Sequence, residues 1–261
     1  MPQIKIAAVE PAPLAELRYL NAASNGRTEV ARLEILRGRV GRLADELDAI
    51  VCCSDLQGMV AGELLGVAVA QELEQLAEAG VLPPCARTGV VLAGDLYSVP
   101  GANKRGGFGD VAPVWQAFAD RFPWVVGVAG NHDDVEGVSD LGEHVHVLDN
   151  TTVTVDGLRI AGVGGIIGNP NKPGRRDEET HLAQIAERAE RGCDLLVLHE
   201  GPHGERKQLG NAAIRGLVEA GEVPLTVCGH SHWTEPLAGH RRGQILNVDA
   251  RVVVLQAFFV V

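Results

Sequence analysis

Side chains that can bind metals or transfer protons follow directly after several apolar segments of this sequence. In VAGNHDD (residues 128–134), an apolar run ends at Gly130 and is followed at once by Asn131, His132 and two aspartates. Gly, Asn and Asp also tolerate tight-turn geometry, so this segment taken alone fits a turn as well as a functional site. Four more apolar segments end in the same way, in SDLQG with Asp55 and Gln57, AGDLY with Asp95, LHEG with His199, and GHSH with His230 and His232.

Strands of an α/β fold are the elements that would have to position these side chains. Short β-branched runs predict strands at 49–54, 88–94, 124–129, 158–163, 194–198, 225–228 and 251–259. Helical periodicity predicts helices at 60–79, 111–121, 177–191 and 207–219. Strands that alternate with helices are typical of an α/β fold, and the carboxyl ends of its strands open onto a common crevice where ligands bind. We therefore expect the polar side chains to converge there.

The segment VHVLDNTTVTVDGLRIAGVGG (145–165) differs from the rest because short strands follow one another without a helix. They are separated only by DN and DG, which are typical of hairpin turns. Mixed sheets, rather than purely parallel ones, are therefore expected.

The N-terminal part of the chain, residues 1–48, is predicted to be an extension packed on a single domain that spans residues 1–261. It contains a strand-like stretch and, over 29–50, apolar residues at steps of three and four, which predict an amphipathic helix. Such an extension could cover a sheet edge, which is the role we favour, or form a homodimer contact, or wall one side of the cleft.

The composition limits the classes of binding partner and the cellular compartment that are expected for this chain. A net charge of −11 argues against duplex nucleic acid, whose phosphates require a basic surface, but not against a small phosphorylated ligand held by local charge. The N-terminal segment lacks a long apolar stretch, so neither a signal peptide nor a membrane span is expected. Five cysteines without a Cys-x-x-Cys pair are typical of free thiols in a reducing compartment, and a cytoplasmic location is predicted.

Each of these polar residues has an ordinary structural interpretation when it is considered alone. Asp55 or Asp95 could cap the following helix, and a lone histidine such as His199 is more often a core residue with satisfied hydrogen bonds. His230 and His232 project to the same side of an extended segment and could form a ligand pair. All five segment ends together favour a metal site, and a mixed Asp, His and Asn set suits Mn²⁺, Fe or Zn²⁺.

The order of the motifs resembles that of the calcineurin-like metallophosphoesterases, whose strand ends carry Asp-x-His, Gly-Asp, Gly-Asn-His-Asp/Glu, His and Gly-His-x-His. Here the series is SDLQG, AGDLY, AGNHDD, LHEG and GHSH, over residues 55 to 232. The resemblance implies a four-layer α/β/β/α sandwich with two central mixed sheets. It also implies hydrolysis of a phosphomonoester or phosphodiester through a hydroxide that bridges two divalent ions, with Mn²⁺ as the first choice and Fe, Zn²⁺ or Mg²⁺ as alternatives.

The resemblance also assigns roles to individual residues. One ion would be held by Asp55, Gln57, Asp95 and His232, and the other by Asp95, Asn131, His199 and His230. Asp95 would then bridge the two ions, and His132 matches the catalytic histidine that contacts the phosphate and assists the leaving oxygen. Asp133 and Asp134 could orient a histidine or, alternatively, cap the loop.

Gln57 departs from the family pattern, which has histidine at this position. A carboxamide oxygen is a harder and weaker donor than imidazole, so the site is expected to hold its ion less tightly and to lean from Zn²⁺ towards Mn²⁺ or Mg²⁺. Tyr97 lies one residue from the position where one branch of the family uses a tyrosine ligand, and we interpret it as a packed aromatic residue beside the site.

Two polar loops could select the substrate. The loop YSVPGANKRGGFGD (97–110) leaves the strand end that carries Asp95, which makes Lys104 and Arg105 candidate substrate-binding residues together with Asn131 and His132. Weaker candidates are Lys172, Arg175, Arg176, Arg241 and Arg242. Solvated loops without a ligand are the alternative for all of them. For the whole chain, a non-catalytic scaffold or binding protein on a degenerate form of the same fold is the rival to a phosphoesterase.

Overall fold

The computed structural model describes residues 4–23, 26–205 and 207–258. The strands are β1 (Ile6–Val9), β2 (Ala15–Ala22), β3 (Thr28–Val40), β4 (Ala49–Ser54), β5 (Met59–Val60), β6 (Glu63–Leu64), β7 (Thr88–Leu92), β8 (Gly109–Asp110), β9 (Val125–Gly127), β10 (Asp133–Asp134), β11 (Val145–Val147), β12 (Thr151–Val155), β13 (Leu158–Val163), β14 (Ile166–Ile167), β15 (Arg175–Arg176), β16 (Leu195–Glu200), β17 (Leu225–Gly229), β18 (Leu237–His240), β19 (Gly243–Asn247) and β20 (Arg251–Ala257). The α-helices are α1 (Leu65–Glu78), α2 (Ala112–Ala119), α3 (Glu178–Glu190) and α4 (Ala212–Ala220).

A larger and a smaller mixed sheet form the centre of the fold. The larger sheet has the strand order β11-β9-β7-β4-β20-β3-β2-β5-β6, with β1 paired to β3. The smaller sheet has the order β12-β13-β16-β17-β19-β18. Each sheet contains a run of parallel strands, β4-β7-β9-β11 in the larger and β13-β16-β17-β19 in the smaller. β20 pairs antiparallel with β4, and β12 and β18 pair antiparallel with β13 and β19. The predicted mixed α/β architecture is therefore confirmed.

Alternation of side chains along the strands produces the four layers. In β4, Val51 and Cys53 face the core under α1 and α2, whereas Ile50 and Cys52 face the core shared by the two sheets. This follows from the period of two in a strand, where successive side chains point to opposite faces. On the outer face of the smaller sheet, α3 and α4 cover a third core. The arrangement is the expected α/β/β/α sandwich.

The helices α3 and α4 begin at residues whose side chains cap them. The side chain of Asp177 accepts from the backbone amide of Thr180 at the start of α3. The side chain of Asn211 accepts from Ala213 and Ile214 at the start of α4. These caps satisfy amides that have no partner within the helix. The helix predicted over 207–219 therefore starts later, at Ala212, and ends at Ala220.

The predicted amphipathic helix over 29–50 is wrong. Residues Thr28–Val40 form β3, which pairs with β2 on one side and β20 on the other. In the strand, the residues spaced by three lie on opposite buried faces, because Leu33 belongs to the core under α1 and α2 and Leu36 to the core between the sheets. Pairing on both sides decides in favour of a strand. A Cβ atom on Gly38 would lie 2.6 Å from Leu255 Cδ2, so this glycine permits close packing of β3 on β20.

Only one of the two predicted hairpin turns in 145–165 is present. Asp156 and Gly157, with φ of 46° and 73°, join the antiparallel strands β12 and β13, as a primed turn requires. The DN pair at 149–150 instead carries the chain from one sheet to the other, because β11 pairs with β9 in the larger sheet and β12 belongs to the smaller one.

The N-terminal extension continues the larger sheet beyond β20. β3 pairs along the edge of β20 in parallel orientation, and β2 pairs with β3. The favoured role as an edge cover therefore agrees with the structure, although strands rather than a helix provide the cover. Residues 1–3 of the predicted extension and residue 259 of the predicted last strand lie outside the described residues. A homodimer contact through this extension stays a prediction. Within the described part of the chain, no helix combines the length and apolar character needed to cross a membrane.

Candidate metal centre

Three of the predicted site residues occupy the first turn after a strand and share an uncommon backbone conformation. Asp55, Asp95 and His230 follow β4, β7 and β17, and their φ values are 54°, 56° and 65°. Residues other than glycine rarely adopt this left-handed conformation, which costs about 1–3 kcal/mol unless the surroundings enforce it. Such strain is concentrated at functional sites, and here it occurs at the ends of three strands from both sheets.

Asp95, His199 and His230 form the centre of the site. Their potential ligand atoms all lie within 4.8 Å of one another. His199 Nε2 is 3.3 Å from Asp95 Oδ1, and the two histidine rings are 5.1 Å apart between centroids. His199 Nδ1 lies 2.8 Å from the carbonyl oxygen of Ala93, which can only accept. Nδ1 therefore carries a proton, and Nε2 is the nitrogen directed at Asp95.

Two buried atoms at this centre have no hydrogen-bond partner. Asn131 Oδ1 and His199 Nε2 are both buried and unpartnered among the described residues. A buried polar atom without a partner costs about 1–3 kcal/mol. A divalent cation would satisfy an amide oxygen and an imidazole lone pair at once, and a set of carboxylate, amide and imidazole donors suits borderline to hard divalent ions. The residues present therefore fit a metal ion.

The charges around Asp55 also favour a cation. Its Oδ2 accepts from Ser54 Oγ at 2.6 Å and from the backbone amide of His230 at 2.9 Å. Desolvation of the carboxylate, together with the negative charges of Asp249 and Asp95, raises the pKa of Asp55 to about 8. Several carboxylates are thus held close together in a poorly solvated place, where a cation would offset their repulsion.

Asp95 and His199 stabilise each other's charged forms. Burial raises the pKa of a carboxyl group, but the neighbouring His199 and His132 outweigh it, and the pKa of Asp95 is lowered. Burial lowers the pKa of an imidazole, but Asp95 and Asp55 outweigh it, and the pKa of His199 is raised to about 10. The pKa of His230 is lowered by burial and by the charge of His199. A metal ion would take the place of the proton on His199.

Gln57 contacts the proposed bridging residue. Its Nε2 donates to Asp95 Oδ2 at 3.0 Å, which places the side-chain amide at the edge of the cluster. His232 is largely exposed, with 61% of its side chain accessible. Its Nδ1 is 3.1 Å from Asp249 Oδ1, and its Nε2 is 3.3 Å from an Arg251 amino group. Ligation by Gln57 and His232 stays a prediction.

Asp249 and Arg251 beside His232 are residues that sequence reasoning missed. Arg251 also donates to the carbonyl oxygen of Trp233, so it ties the GHSH loop to the start of β20. Asp249 follows the segment ILNV, which is apolar except for Asn247 and contains the end of β19. The sequence analysis predicts no strand between 225–228 and 251–259, so Asp249 is not among the polar residues expected at a strand end.

His132 is held in one orientation. Its Nδ1 lies 2.5 Å from the carbonyl oxygen of Gly107, and its backbone amide donates to Asp95 Oδ1 at 3.1 Å. Because a carbonyl only accepts, Nδ1 carries the proton and Nε2 is directed towards Asp95 Oδ2, 3.8 Å away. About a quarter of the side chain (23%) is exposed, so the ring is open to a ligand and to solvent.

Asp133 does not orient a histidine but caps the loop. Its carboxylate accepts from the backbone amides of Asp95, Leu96, Tyr97 and Gly130 at 2.7–3.1 Å. Burial and the charge of Asp95 raise its pKa, and the backbone donors oppose this shift. Asp134 similarly accepts from the amide of Glu136. Of the two interpretations given above for these aspartates, the loop cap is therefore correct.

The basic candidates fall into different environments. Lys104 and Arg105 are exposed in the loop that contacts His132, and Arg105 Nε donates to the carbonyl oxygen of Ala22 at 3.0 Å. Arg176 pairs with Asp149 and donates to the carbonyl oxygen of Gly164. Other predicted side chains have structural contacts too: Arg242 pairs with Glu222, and Tyr97 packs on the core of α1 and α2.

Comparison with known proteins identifies the family of this chain and structures of similar fold. The family model described as calcineurin-like phosphoesterase matches residues 49–234. Similar solved structures include TT1561 of Thermus thermophilus, with a TM-score of 0.50, 17% identity, and coverage of 81% of this chain and 89% of that chain. GAP50, described as the anchor in the inner membrane complex of Plasmodium, has a TM-score of 0.42, 14% identity and coverages of 77% and 71%. The likeness to TT1561 concerns the fold alone. No curated protein matches the chain significantly.

Proposed function

Because the chain belongs to the calcineurin-like phosphoesterase family, we propose that it is a metal-dependent hydrolase of a phosphomonoester or phosphodiester. The observation that carries this proposal is the cluster of Asp95, His199 and His230, beside which Asn131 Oδ1 is buried without a partner. A small phosphorylated molecule is the substrate that such a site would accept.

The proposed centre holds two divalent ions, with Mn²⁺ as the first choice and Fe, Zn²⁺ or Mg²⁺ as alternatives. One ion would be bound by Asp55, Gln57, Asp95 and His232, and the other by Asp95, Asn131, His199 and His230. When bound, two such ions activate a water molecule as the nucleophile and offset the charge of the phosphate oxygens. The unpartnered atoms described above support the second ligand set most directly.

His132 is the residue that we propose to move a proton. Gly107 holds the proton on Nδ1, so the opposite nitrogen, Nε2, faces the centre. In its protonated form Nε2 can donate to a phosphate oxygen and then to the leaving oxygen, and the partial exposure of the ring allows it to be protonated again from solvent. Histidine is the side chain most often used for such proton transfer.

The remaining contacts in the proposal concern the substrate. Asn131 and His132 would bind the phosphate itself, and Lys104 and Arg105 would bind the part of the substrate that does not react. The loop that carries Lys104 contacts His132, because a Cβ atom on Gly106 would lie only 3.1 Å from His132 Cε1. The lysine therefore lies in a loop that adjoins the site.

The proposal is tested with purified chain loaded separately with Mn²⁺, Zn²⁺ or Mg²⁺ and assayed against chromogenic phosphomonoesters and phosphodiesters. We expect turnover that depends on the metal and is removed by Asp95→Asn, whereas Asp45→Asn, at an exposed loop carboxylate, leaves it unchanged. Stoichiometric metal binding without turnover of any ester would support the alternative, a scaffold or binding protein. Absence of metal binding would overturn both the ligand sets and the hydrolase.

A further inference from the structure

The β2–β3 hairpin contacts the loop that holds His132. This hairpin precedes residues 49–234, the part of the chain that matches the family. The loop comprises residues 98–108 and connects the end of β7, where Asp95 lies, to β8. We call it the histidine loop.

The histidine loop determines which nitrogen of His132 is available. The carbonyl oxygen of Gly107 accepts from Nδ1 at 2.5 Å, and Gly106 packs against the ring. Gly106 and Gly107 both have positive φ, 73° and 127°, a conformation that other residues adopt at a cost. A displaced Gly107 carbonyl would release Nδ1 and allow the proton to move to Nε2, the nitrogen that faces Asp95.

The hairpin supplies the remaining tethers of this loop. Among the described residues, hydrogen bonds join residues 98–108 to other segments at three places. One is the bond to His132 itself. The other two come from the hairpin: Thr28 Oγ1 donates to the carbonyl oxygen of Gly101 at 3.2 Å, and Arg105 Nε donates to the carbonyl oxygen of Ala22 at 3.0 Å. After Gly107, the chain is anchored to the His132 segment, because the Gly109 amide donates to the carbonyl oxygen of His132 at 3.2 Å and β8 pairs with β10. Before Gly107, the two hydrogen bonds from the hairpin hold the loop.

The hairpin is a firm support because it is part of the larger sheet. β2 and β3 pair continuously from Ala15 opposite Ile35 to Ala22 opposite Thr28, and β3 pairs with β20. On its other face the hairpin supports the loop of Gln57, since the ring of Tyr19 occupies the space that a side chain on Gly58 would need. One element thus contacts the loops of two proposed site residues.

We propose that the β2–β3 hairpin positions His132 for proton transfer, with Arg105 and Thr28 as the positioning residues that link it to the histidine loop. The inference rests on the proposed function, because it assigns the hairpin a role in a proton transfer by His132. For Arg105, positioning is an alternative to the substrate-binding role given above. The two roles are distinguished because an arginine that acts through the loop affects turnover rather than substrate affinity.

The test uses Thr28→Val, Arg105→Met and the double variant of the full chain. With a small chromogenic ester, we expect kcat to fall about 3- to 10-fold in the double variant, the effect of losing one or two hydrogen bonds, with KM unchanged. Thr28→Ser keeps the hydroxyl group and should restore kcat. Matched controls are Arg32→Ala, an exposed arginine on the same hairpin, and Thr154→Val on β12, both of which should leave kcat unchanged.

A second measurement does not require turnover. Nitrogen-15 spectra of the metal-free chain, with His132 assigned by its loss in His132→Ala, report which ring nitrogen carries the proton. We expect the Nδ1–H form in the wild-type chain and a larger share of the Nε2–H form in the double variant, at an unchanged urea unfolding midpoint. An unchanged tautomer would overturn the proposal, and so would a raised KM with unchanged kcat. If no metal supports turnover in the wild type, the proposed function fails, and an unaltered tautomer in the double variant still overturns the positioning role.

Discussion

Asp133 accepts a hydrogen bond from the backbone amide of Asp95 at 2.7 Å, so the proposed bridging ligand is held in place by an aspartate from the next strand end. The same carboxylate accepts from Gly130 at 2.8 Å, which draws the loops after β7 and β9 together. There is no room for a side chain at Gly130, because a Cβ atom there would overlap the Asp95 carboxylate. The loops at the ends of β7 and β9 are thereby held in contact with each other.

Asp133→Ala should therefore be strongly destabilising. It leaves four buried or partly buried amides without their acceptor, and we expect a loss of about 3–5 kcal/mol in the free energy of unfolding. Asp134→Ala removes one exposed hydrogen bond and should cost less than about 1 kcal/mol. Urea unfolding of both metal-free variants measures the difference. Equal stabilities would contradict the role of Asp133 as the cap that joins the loops.

Asp95→Asn and His132→Ala should both lose most turnover, but for different reasons. The first removes the charge of the proposed bridging ligand, so metal content should fall with activity. The second should keep its metal and lose about 10²- to 10⁴-fold in kcat, the usual contribution of proton transfer by a positioned side chain. Metal analysis beside steady-state kinetics separates the two. Full activity in His132→Ala would refute its catalytic role.

Gln57 can be tested through metal stoichiometry. If its amide oxygen is a weak ligand, the wild-type chain should hold two ions unequally, and Gln57→His should raise the occupancy and favour Zn²⁺. Gln57→Ala should lower the occupancy of that site and leave the site of Asn131, His199 and His230 largely filled. If all three forms bind two equally tight ions, Gln57 is not a ligand, and its role is the hydrogen bond to Asp95.

Lys104→Ala should raise KM for a substrate that reaches the loop and leave kcat nearly unchanged, because the contact is made equally in the ground state and the transition state. A small chromogenic ester should show no such effect. Arg42→Ala, which removes an exposed arginine from another loop, serves as the control for the change in net charge. An equal rise in KM for both substrates would point to altered electrostatics rather than to a contact.

Without metal, the protein should become less stable as the pH rises. The folded-state pKa of Asp55, about 8, lies above its ordinary value of 3.8, and that of His199, about 10, lies above 6.5. Both groups hold protons more tightly in the folded state, so the stabilisation is present at low pH and is lost as the pH rises through these values. Unfolding midpoints in a chelator at pH 5, 7 and 9 should decrease, and Asp55→Asn should flatten the change between pH 5 and 9. Saturating Mn²⁺ should raise the unfolding midpoint most at high pH, where protons do not compete with the ion for its ligands.

Much of the site could be predicted because its residues stand in short motifs at the ends of apolar segments, which can be found without knowledge of the fold. Asp95 and His230 follow apolar strands and His199 lies near the end of one, and the carboxyl ends of parallel strands meet at one edge whatever the details of packing. The order of the motifs was sufficient to predict the family and the α/β/β/α architecture. The loop cap by Asp133 was one of two interpretations, because the sequence does not say which amides will surround a carboxylate.

The sequence by itself determined the strands that carry the candidate ligands, since each is a short apolar run ending in polar residues. Only the tertiary structure decided the conformation of residues 28–40. Their apolar spacing suits either a helix or a strand, and the partner strands on both sides select the strand. It also decided that the DN pair connects two sheets and that Arg105 contacts the hairpin. The physical reason is the same in each case: strand pairing and loop tethers join residues far apart in the chain, and their energies depend on partners that local periodicity does not specify.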